Sequence, residues 1–213
     1  MVKASRKFPA LVALVMALSF TPTVSEATIV VPLTIEQMQS RSNTIVRAVV
    51  LDSNSEWDRS EKHIFTYTRL KVLEAFKGKQ SVGEIIRIRT LGGEVGDVGM
   101  AVAGTAKFQA SEEVVIFGRT DRYDAANFQV VGMSQGKFSI QKNDKGESMV
   151  VPDLKGLAFA STAQGQVTGI QEHHSTLSQS IKLSDLRTRL TQGQTGTPKT
   201  SPQVTTQPKD TNQ

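Results

Sequence analysis

The spacing of apolar positions changes twice along this chain. Phe8 to Phe20 is a continuous apolar run, Pro32 to Ser42 places Leu33, Ile35 and Met38 on one side, and from Thr44 onward the period is two. The second segment predicts a short helix that lids a sheet or barrel, with Thr34 as its cap and Glu36 and Gln37 in its first turns. In the third, Ile45, Val49 and Leu51 alternate with Val46, Ala48 and Val50, so apolar side chains fall on both sides of the chain. That pattern predicts a strand buried on two faces, closed by the turn formers Asp52 to Ser55.

A polar loop with the sole tryptophan, Trp57, leads into an extended segment from His63 to Phe76. Ile64, Leu70, Val72 and Phe76 take one face of it, and Phe65, Tyr67, Arg69, Lys71 and Leu73 the other. Lys77 to Gly83 form a turn, and Glu84 to Leu91 return with Ile86 and Ile88 inward and Arg87 and Arg89 outward. A hairpin centred near Gln80 sets Arg69 opposite Leu91, Lys71 opposite Arg89 and Leu73 opposite Arg87. Residues 92 to 111, broken by Gly92, Gly93, Gly96, Gly99 and Gly104, predict a long structured loop. Strand patterns resume at Glu112 to Thr120, Asn127 to Met133 and Lys137 to Gln141. After the turn Asn143 to Gly146, one more lies near Met149 to Val151, giving six or seven strands. Residues 153 to 182 carry little pattern, and Ser184 caps a last short helix that reaches Leu190. The polar stretch 191 to 213 cannot bury enough surface to hold a fold and reads as a disordered tail.

Lys3, Arg6 and Lys7 precede the first apolar run, and Ser25, Glu26 and Ala27 close it. That order is a signal peptide spanning 1–27, with cleavage expected between Ala27 and Thr28, so the product is read as secreted or periplasmic. The run has 13 residues, short of the roughly 20 a spanning helix needs, so no membrane span is expected after cleavage. Of the 186 residues then left from 213, 28–190 hold the apolar periodicity and make one domain of ordinary size. The chain has no cysteine, which excludes disulfide staples, lipid attachment at a cysteine and thiolate metal sites. Its net charge of +5 includes Lys3, Arg6 and Lys7 against Glu26 in the leader, which leaves +3 for the rest. A charge that small does not by itself demand a polyanionic partner.

The glycines invite a phosphate-loop reading, but Gly93, Gly96 and Gly99 recur every three residues, no lysine-serine ending follows, and no amphipathic helix begins there. His173 and His174, beside Glu172, point to opposite sides of a regular backbone, and His63 is remote in sequence, so neither a metal site nor a cofactor is expected. No serine sits in a nucleophile elbow, and no histidine has an acid placed to fix its tautomer. A noncatalytic chain is therefore expected, with an unrecognised carboxylate pair the remaining route to an enzyme. The strongest local cluster is electrostatic. Arg69, Lys71, Arg87 and Arg89 share the outward hairpin face with Phe65 and Tyr67, a mixture that single-stranded nucleic acid and anionic glycan platforms use and that a solvated sheet face also shows.

The entry through Ser42 to Val50, the strand end Val72 to Gly78, the Gly92–Gly93 pair and the run Ala110 to Phe117 resemble a family of uncharacterised secreted bacterial proteins. More remotely, they resemble the netrin-like domain of tissue inhibitors of metalloproteinases, over about 42 to 135. The resemblance implies an OB-like closed barrel of five strands. With the strand patterns, the fold class expected is mainly β: an OB-like closed or partly open barrel of five to seven strands with short flanking helices. The inhibitors' amino-terminal cysteine has no counterpart here, so residues from Thr28 onward would have to block a protease by other means. The function expected is an exported binding module. It recognises a protein partner, a secreted protease or an envelope component, through loops around Trp57 and the connection holding Gly92, Gly93, Gly96 and Gly99. The alternative is a polyanion-binding barrel that takes anionic glycan or nucleic acid on Phe65, Tyr67, Arg69, Lys71, Arg87 and Arg89.

Overall fold

The computed structural model describes residues 27–163, 166–171 and 178–192, so the leader up to residue 26, the His173–His174 pair and the tail from 193 lie outside it. In chain order the elements are β1 (Thr28–Val30), α1 (Ile35–Arg41), β2 (Thr44–Trp57), β3 (Ile64–Lys77), β4 (Ile85–Leu91), β5 (Gly93–Val95), β6 (Val98–Met100) and β7 (Glu113–Thr120). Then come β8 (Phe128–Val130), β9 (Lys137–Lys142), β10 (Ser148–Pro152), β11 (Leu157–Ala163), β12 (Gln166–Gln171), β13 (Ile181–Lys182) and α2 (Leu183–Gln192). The chain is mainly β, and its strands outnumber those its alternation predicts.

Five strands close a ring in the order β2-β3-β4-β8-β7, with β7 returning to β2. Only the β4–β8 pair in it is parallel, through Ile88 and Phe128. Side chains at alternate positions fill the ring: Val46, Ala48 and Val50 from β2, Leu70 and Val72 from β3, Ile86 and Ile88 from β4, and Val114 and Ile116 from β7. The β2–β3 register shifts three times, at Ile45/Val46, Arg47/Ala48 and Val50/Asp52. Each bulge adds twist, which lets two 14-residue strands curl around a small interior.

Asp52 to Ser55, expected as a turn, continue β2 up to Trp57, so the tryptophan ends a strand. The cause is polar pairing across the ladder. Ser53 and Thr68 share a hydrogen bond of 2.8 Å, Ser55 and Thr66 one of 2.9 Å, and Asp52 takes the guanidinium of Arg69. Such cross-strand pairs support pairing where apolar alternation gives none.

β7 belongs to two cores. Val114, Val115, Ile116 and Phe117 are all fully buried, because even positions face the ring while Val115 and Phe117 face a second cluster outside it. That outer cluster gathers Leu33, Met38, Ile45, Phe138 and Val150, and is roofed by Leu183, Leu186 and Leu190 of α2. Thr34 caps α1 with a reciprocal pair: Gln37 N–H donates to Thr34 Oγ1 at 3.2 Å, and Thr34 N–H donates to Gln37 Oε1 at 2.9 Å. The helix is thus shorter than the Pro32 to Ser42 span its apolar positions predict. At the other end, Ser184 lies inside the first turn of α2 and donates to Asp185 Oδ1, and the helix runs to Gln192, past the expected start of the tail.

Arg187 fixes α2 to β3 by a bidentate pair, Nε to Glu74 Oε1 at 2.8 Å and Nη2 to Oε2 at 2.7 Å. Hydrogen bonding from Arg187 holds the Glu74 carboxyl below its ordinary value of 4.5, with Arg47 adding to the effect. A depressed carboxyl contributes stability that is present above its unfolded pKa and lost as pH falls through the folded one. Acid titration of stability should therefore show a loss that begins near pH 4.5 and extends below it. In Arg187→Ala the urea midpoint should be lower at pH 7, and the gap from the parent should narrow by pH 3.

Three expectations fail for identifiable reasons. Residues 92–111 contain the β5–β6 hairpin, whose three-residue strands are hidden by glycine. Gly93 has φ +141°, and a Cβ there would meet Ser55 Oγ and Thr66 Oγ1 at 2.3 and 2.4 Å. The predicted strand Asn127 to Met133 is cut to β8, because Val131 N–H donates to Phe117 O and Phe117 N–H donates to Gly136 O, which leaves 132–135 looped out of the ladder. Gln135, within that loop, accepts from Leu33 N–H at 2.9 Å and donates to Val31 O at 3.2 Å.

The stretch 153–182 holds β11, β12 and β13. Leu157 to Ala160 of β11 are all buried, whereas nearly all of β12 is exposed, so neither alternates. With β1, which pairs parallel to β11, these make a separate three-stranded sheet. Its strands bear no charged residue. Ile29, Ile170 and Val167 sit opposite positions 158, 160 and 162 of β11, on one side of that sheet, each more than half exposed. Among the described residues, no helix is long and apolar enough to cross a membrane.

Candidate functional site

The β3–β4 ladder sets the geometry of the basic and aromatic face, and its register differs from the expected one. Phe65 lies opposite Leu91, Tyr67 opposite Arg89, Arg69 opposite Arg87 and Lys71 opposite Ile85. The pairing is centred on Gly78, at φ +107°, rather than on Gln80. Leu73 to Lys77 run on past β4 and pair only with β2, so the connection overhangs on one side.

Facing arginines would repel, and each finds another contact. Arg69 turns to Asp52 on β2, with Nε 2.7 Å from Oδ1. Arg87 lies over the Tyr67 ring at 4.7 Å. Arg89 lies between the rings of Phe65, at 4.4 Å, and Tyr123, at 5.7 Å, with its Nε 2.6 Å from Asp121 Oδ2. Asp121 is buried and accepts from Tyr123 N–H at 2.8 Å and Gln129 Nε2 at 3.0 Å. Among the described residues, Lys71 and Arg87 have no acidic partner.

Beside this face opens a cleft of about 1570 Å³. One wall is Trp57, Asp58, Arg59, Ser60 and His63 at the β2–β3 turn, with Phe65, Tyr67, Arg89 and Leu91 as floor. The other wall holds Tyr123 and Asp124 from the β7–β8 connection. The cleft thus joins Trp57, assigned to one expected function, with Phe65, Tyr67 and Arg89, assigned to the other. Arg69, Lys71 and Arg87 do not line it, and neither do Gly92, Gly93, Gly96 or Gly99, although Val102, Thr105 and Ala106 from the same connection do.

Tyr123 is the residue the sequence reading passes over. It is 78 % exposed yet fixed at its backbone by Asp121 and at its ring by Arg89 and Arg122, the latter at 6.0 Å. The signal was present as an aromatic between turn-forming aspartates, Asp121 and Asp124.

Both walls are stiffened by aspartates that accept from their own loops. Asp58 accepts from Lys62 N–H at 2.9 Å, from Ser60 Oγ and from His63 N–H, and lies 3.1 Å from His63 Nδ1. The Lys62 N–H first, with His63 and Ser60 behind it, holds the Asp58 carboxyl far below the ordinary range. So His63 does have an acid at its ring, five residues back in the chain, where the sequence reading found none. Ser60 gives its hydroxyl to Asp58 rather than to an imidazole. Asp124 accepts from Ala126 N–H at 3.0 Å and Asn127 Nδ2 at 2.6 Å.

Arg41, Arg59, Arg89 and Arg119 face Glu56, Asp58 and Asp124 around the cleft, a near balance of charge. Among the described residues, no three of His, Asp or Glu converge as a metal site would require. Comparison with protein-family models, with curated proteins and with solved structures found no match to this chain.

Proposed function

We propose that this chain is an exported, noncatalytic binding module that holds a protein partner in the cleft between Trp57 and Tyr123. The observation that carries the reading is the cleft itself, which sets aromatic side chains and charges of both signs on loops braced by Asp58 and Asp121. Export rests on the leader, Lys3 through Ala27, and the product is secreted or periplasmic. The barrel is read as OB-like. Support comes from the ring order, with its single parallel closing pair and its longest connection between the third and fourth ring strands, and from a cleft bounded by the first and last ring connections.

Buried aromatic anchors dominate protein interfaces, with truncations costing about 2 kcal/mol or more, roughly 30-fold in affinity. Trp57→Ala combined with Tyr123→Ala should therefore weaken capture of the partner from culture fluid or envelope by at least about tenfold, as read by surface plasmon resonance. Capture unchanged in that variant would defeat the reading.

A second reading, polyanion binding, is favoured by one observation, the lack of an acidic partner at Lys71 and Arg87 among the described residues. Binding of heparin or oligonucleotide would then fall steeply with salt and weaken several-fold in Arg87→Ala plus Lys71→Ala. A protein held in the cleft would show neither effect.

A further inference from the structure

Arg89 is a strong donor that is largely buried and without a hydrogen-bonding acceptor among the described residues. A guanidinium carries five N–H donors and no acceptor, and among the described residues none of the five meets a protein acceptor in hydrogen-bonding geometry. Its Nε is buried without such a bond even though Asp121 lies 2.6 Å away. The side chain is 11 % exposed and lines the cleft. Two rings and a buried carboxylate fix it in place. With Nε turned to Asp121, the terminal N–H groups of this rigidly held guanidinium are the donors left to receive acceptor atoms from the cleft.

The chemistry of those acceptors follows from what already surrounds Arg89. Asp121 neutralises its charge at contact distance, so an arriving anion would meet a guanidinium and a carboxylate together and gain little net Coulomb attraction. A neutral acceptor loses nothing to Asp121. Of the acids at the cleft, Asp58 is held by its own loop, Asp124 by Ala126 and Asn127, and Glu56 by Asn54 at one oxygen, while the indole N–H of Trp57 has no partner among the described residues. The site therefore offers donors and needs carbonyls.

At about 1570 Å³ the cleft also exceeds the roughly 300–1,000 Å³ of pockets for small ligands. We propose that Arg89 anchors an extended peptide segment of the partner by hydrogen-bonding its backbone carbonyls, with side chains of the segment packed between Trp57 and Tyr123. The inference rests on the cleft being the binding site. A neutral glycan is the competing occupant, and its hydroxyls would ask for acceptors as well as donors, so it is an arm of the test.

The test uses the purified full-length product and a displayed library of random 12-residue peptides, selected in 0.5 M NaCl. Selected peptides should shift the emission of Trp57. Their affinity should change less than about threefold between 0.05 and 0.5 M NaCl, the mark of an interface without counterion release. Arg89→Lys, which keeps the charge and loses the fork, should weaken them by at least about tenfold, whereas Lys71→Ala should not. Because Arg89 also braces the fold, Arg89→Gln with Asp121→Asn provides a neutral pair, the asparagine isosteric with the aspartate and the glutamine shorter than the arginine. It should keep the parent melting temperature within a few degrees and still lose binding.

Peptides that bind and move Trp57 emission but ignore both Arg89 variants would overturn the anchor and leave the cleft reading standing. Failure to select any peptide, together with Trp57 shifts from chitohexaose or from heparin, would overturn the peptide assignment. If no probe moves Trp57 emission, the cleft reading falls as well.

Discussion

Phe117→Ala is expected to remove about 3–5 kcal/mol of stability, as befits a fully buried phenylalanine cut back to a methyl group. Phe117 is wholly buried and packs edge-on against Phe138 at 5.7 Å. Around it are Met38 of α1, Val131 beyond β8 and the leucines of α2, so the void would open where four parts of the chain meet. Its backbone also holds both ends of the 132–135 loop, through Val131 N–H and Gly136 O. Since whole-domain stability is typically about 5–15 kcal/mol, this one change should bring the protein near its unfolding threshold. Equilibrium urea unfolding at pH 7 measures the loss, with Ile116→Val as a companion at about 0.5–1.5 kcal/mol. A Phe117→Ala loss under 1 kcal/mol would mean that the outer cluster is not packed as described.

Lys137→Met should be nearly as costly, about 3–5 kcal/mol, the usual consequence of removing one member of a buried ion pair. Lys137 is 3 % exposed, and its Nζ lies 2.7 Å from Glu112 Oε1, 3.6 Å from Asp153 and 3.3 Å from Ser139 Oγ. Burial alone would push the Glu112 carboxyl up, but hydrogen bonds from Lys137, Ser139 and the Gln109 N–H outweigh it and hold the group below its ordinary value. Without Lys137 the burial effect is left with less to oppose it, so Glu112 should take up its proton at higher pH. The sign is then distinctive. The parent loses Glu112-linked stability as pH falls through the depressed pKa, while the variant is relieved by protonation, so the difference between them should shrink from pH 7 to pH 4. Lys137→Met with Glu112→Gln should recover most of the loss at pH 7, because two neutral groups replace a broken pair. Denaturation midpoints of the three proteins at the two pH values decide it.

Strands with apolar residues on one or both faces were legible in the sequence: the β-branched run from Thr44, the alternation from Ile64 to Val72, and Ile86 and Ile88. Glu113 to Thr120 was legible too, but its continuous burial comes from two separate cores, which no single-strand pattern reveals. What escaped depends on partners distant in sequence. Ser53 and Ser55 read as turn residues until Thr68 and Thr66 are set beside them. β11 and β12 escaped because Leu157 to Ala160 are buried in succession and nearly all of β12 is exposed, so neither alternates. The basic and aromatic face was seen correctly as a face, but its register was not, since an overhang of β3 past β4 leaves no trace in hydrophobic period. The cleft was half legible. Trp57, Phe65, Tyr67 and Arg89 were singled out, in two unrelated groups, whereas Tyr123 and Asp121 become meaningful only where the ring brings the β7–β8 connection beside β4.

The three-stranded sheet of β1, β11 and β12 has a practical consequence. Soluble β proteins ordinarily guard a sheet border with lysine, proline or inward charge so that it does not recruit a stranger's backbone. Gln166 to Gln171 carries none of these, and its own Val167 and Ile170 stand bare, as does Ile29 at the sheet's other border. Crowding of molecules would therefore be felt first at this seam, which shares no residue with the groove where Tyr123 stands. A lysine placed at Val167 or Ile170 is the economical way to keep concentrated preparations from clumping without altering the lining of the cleft.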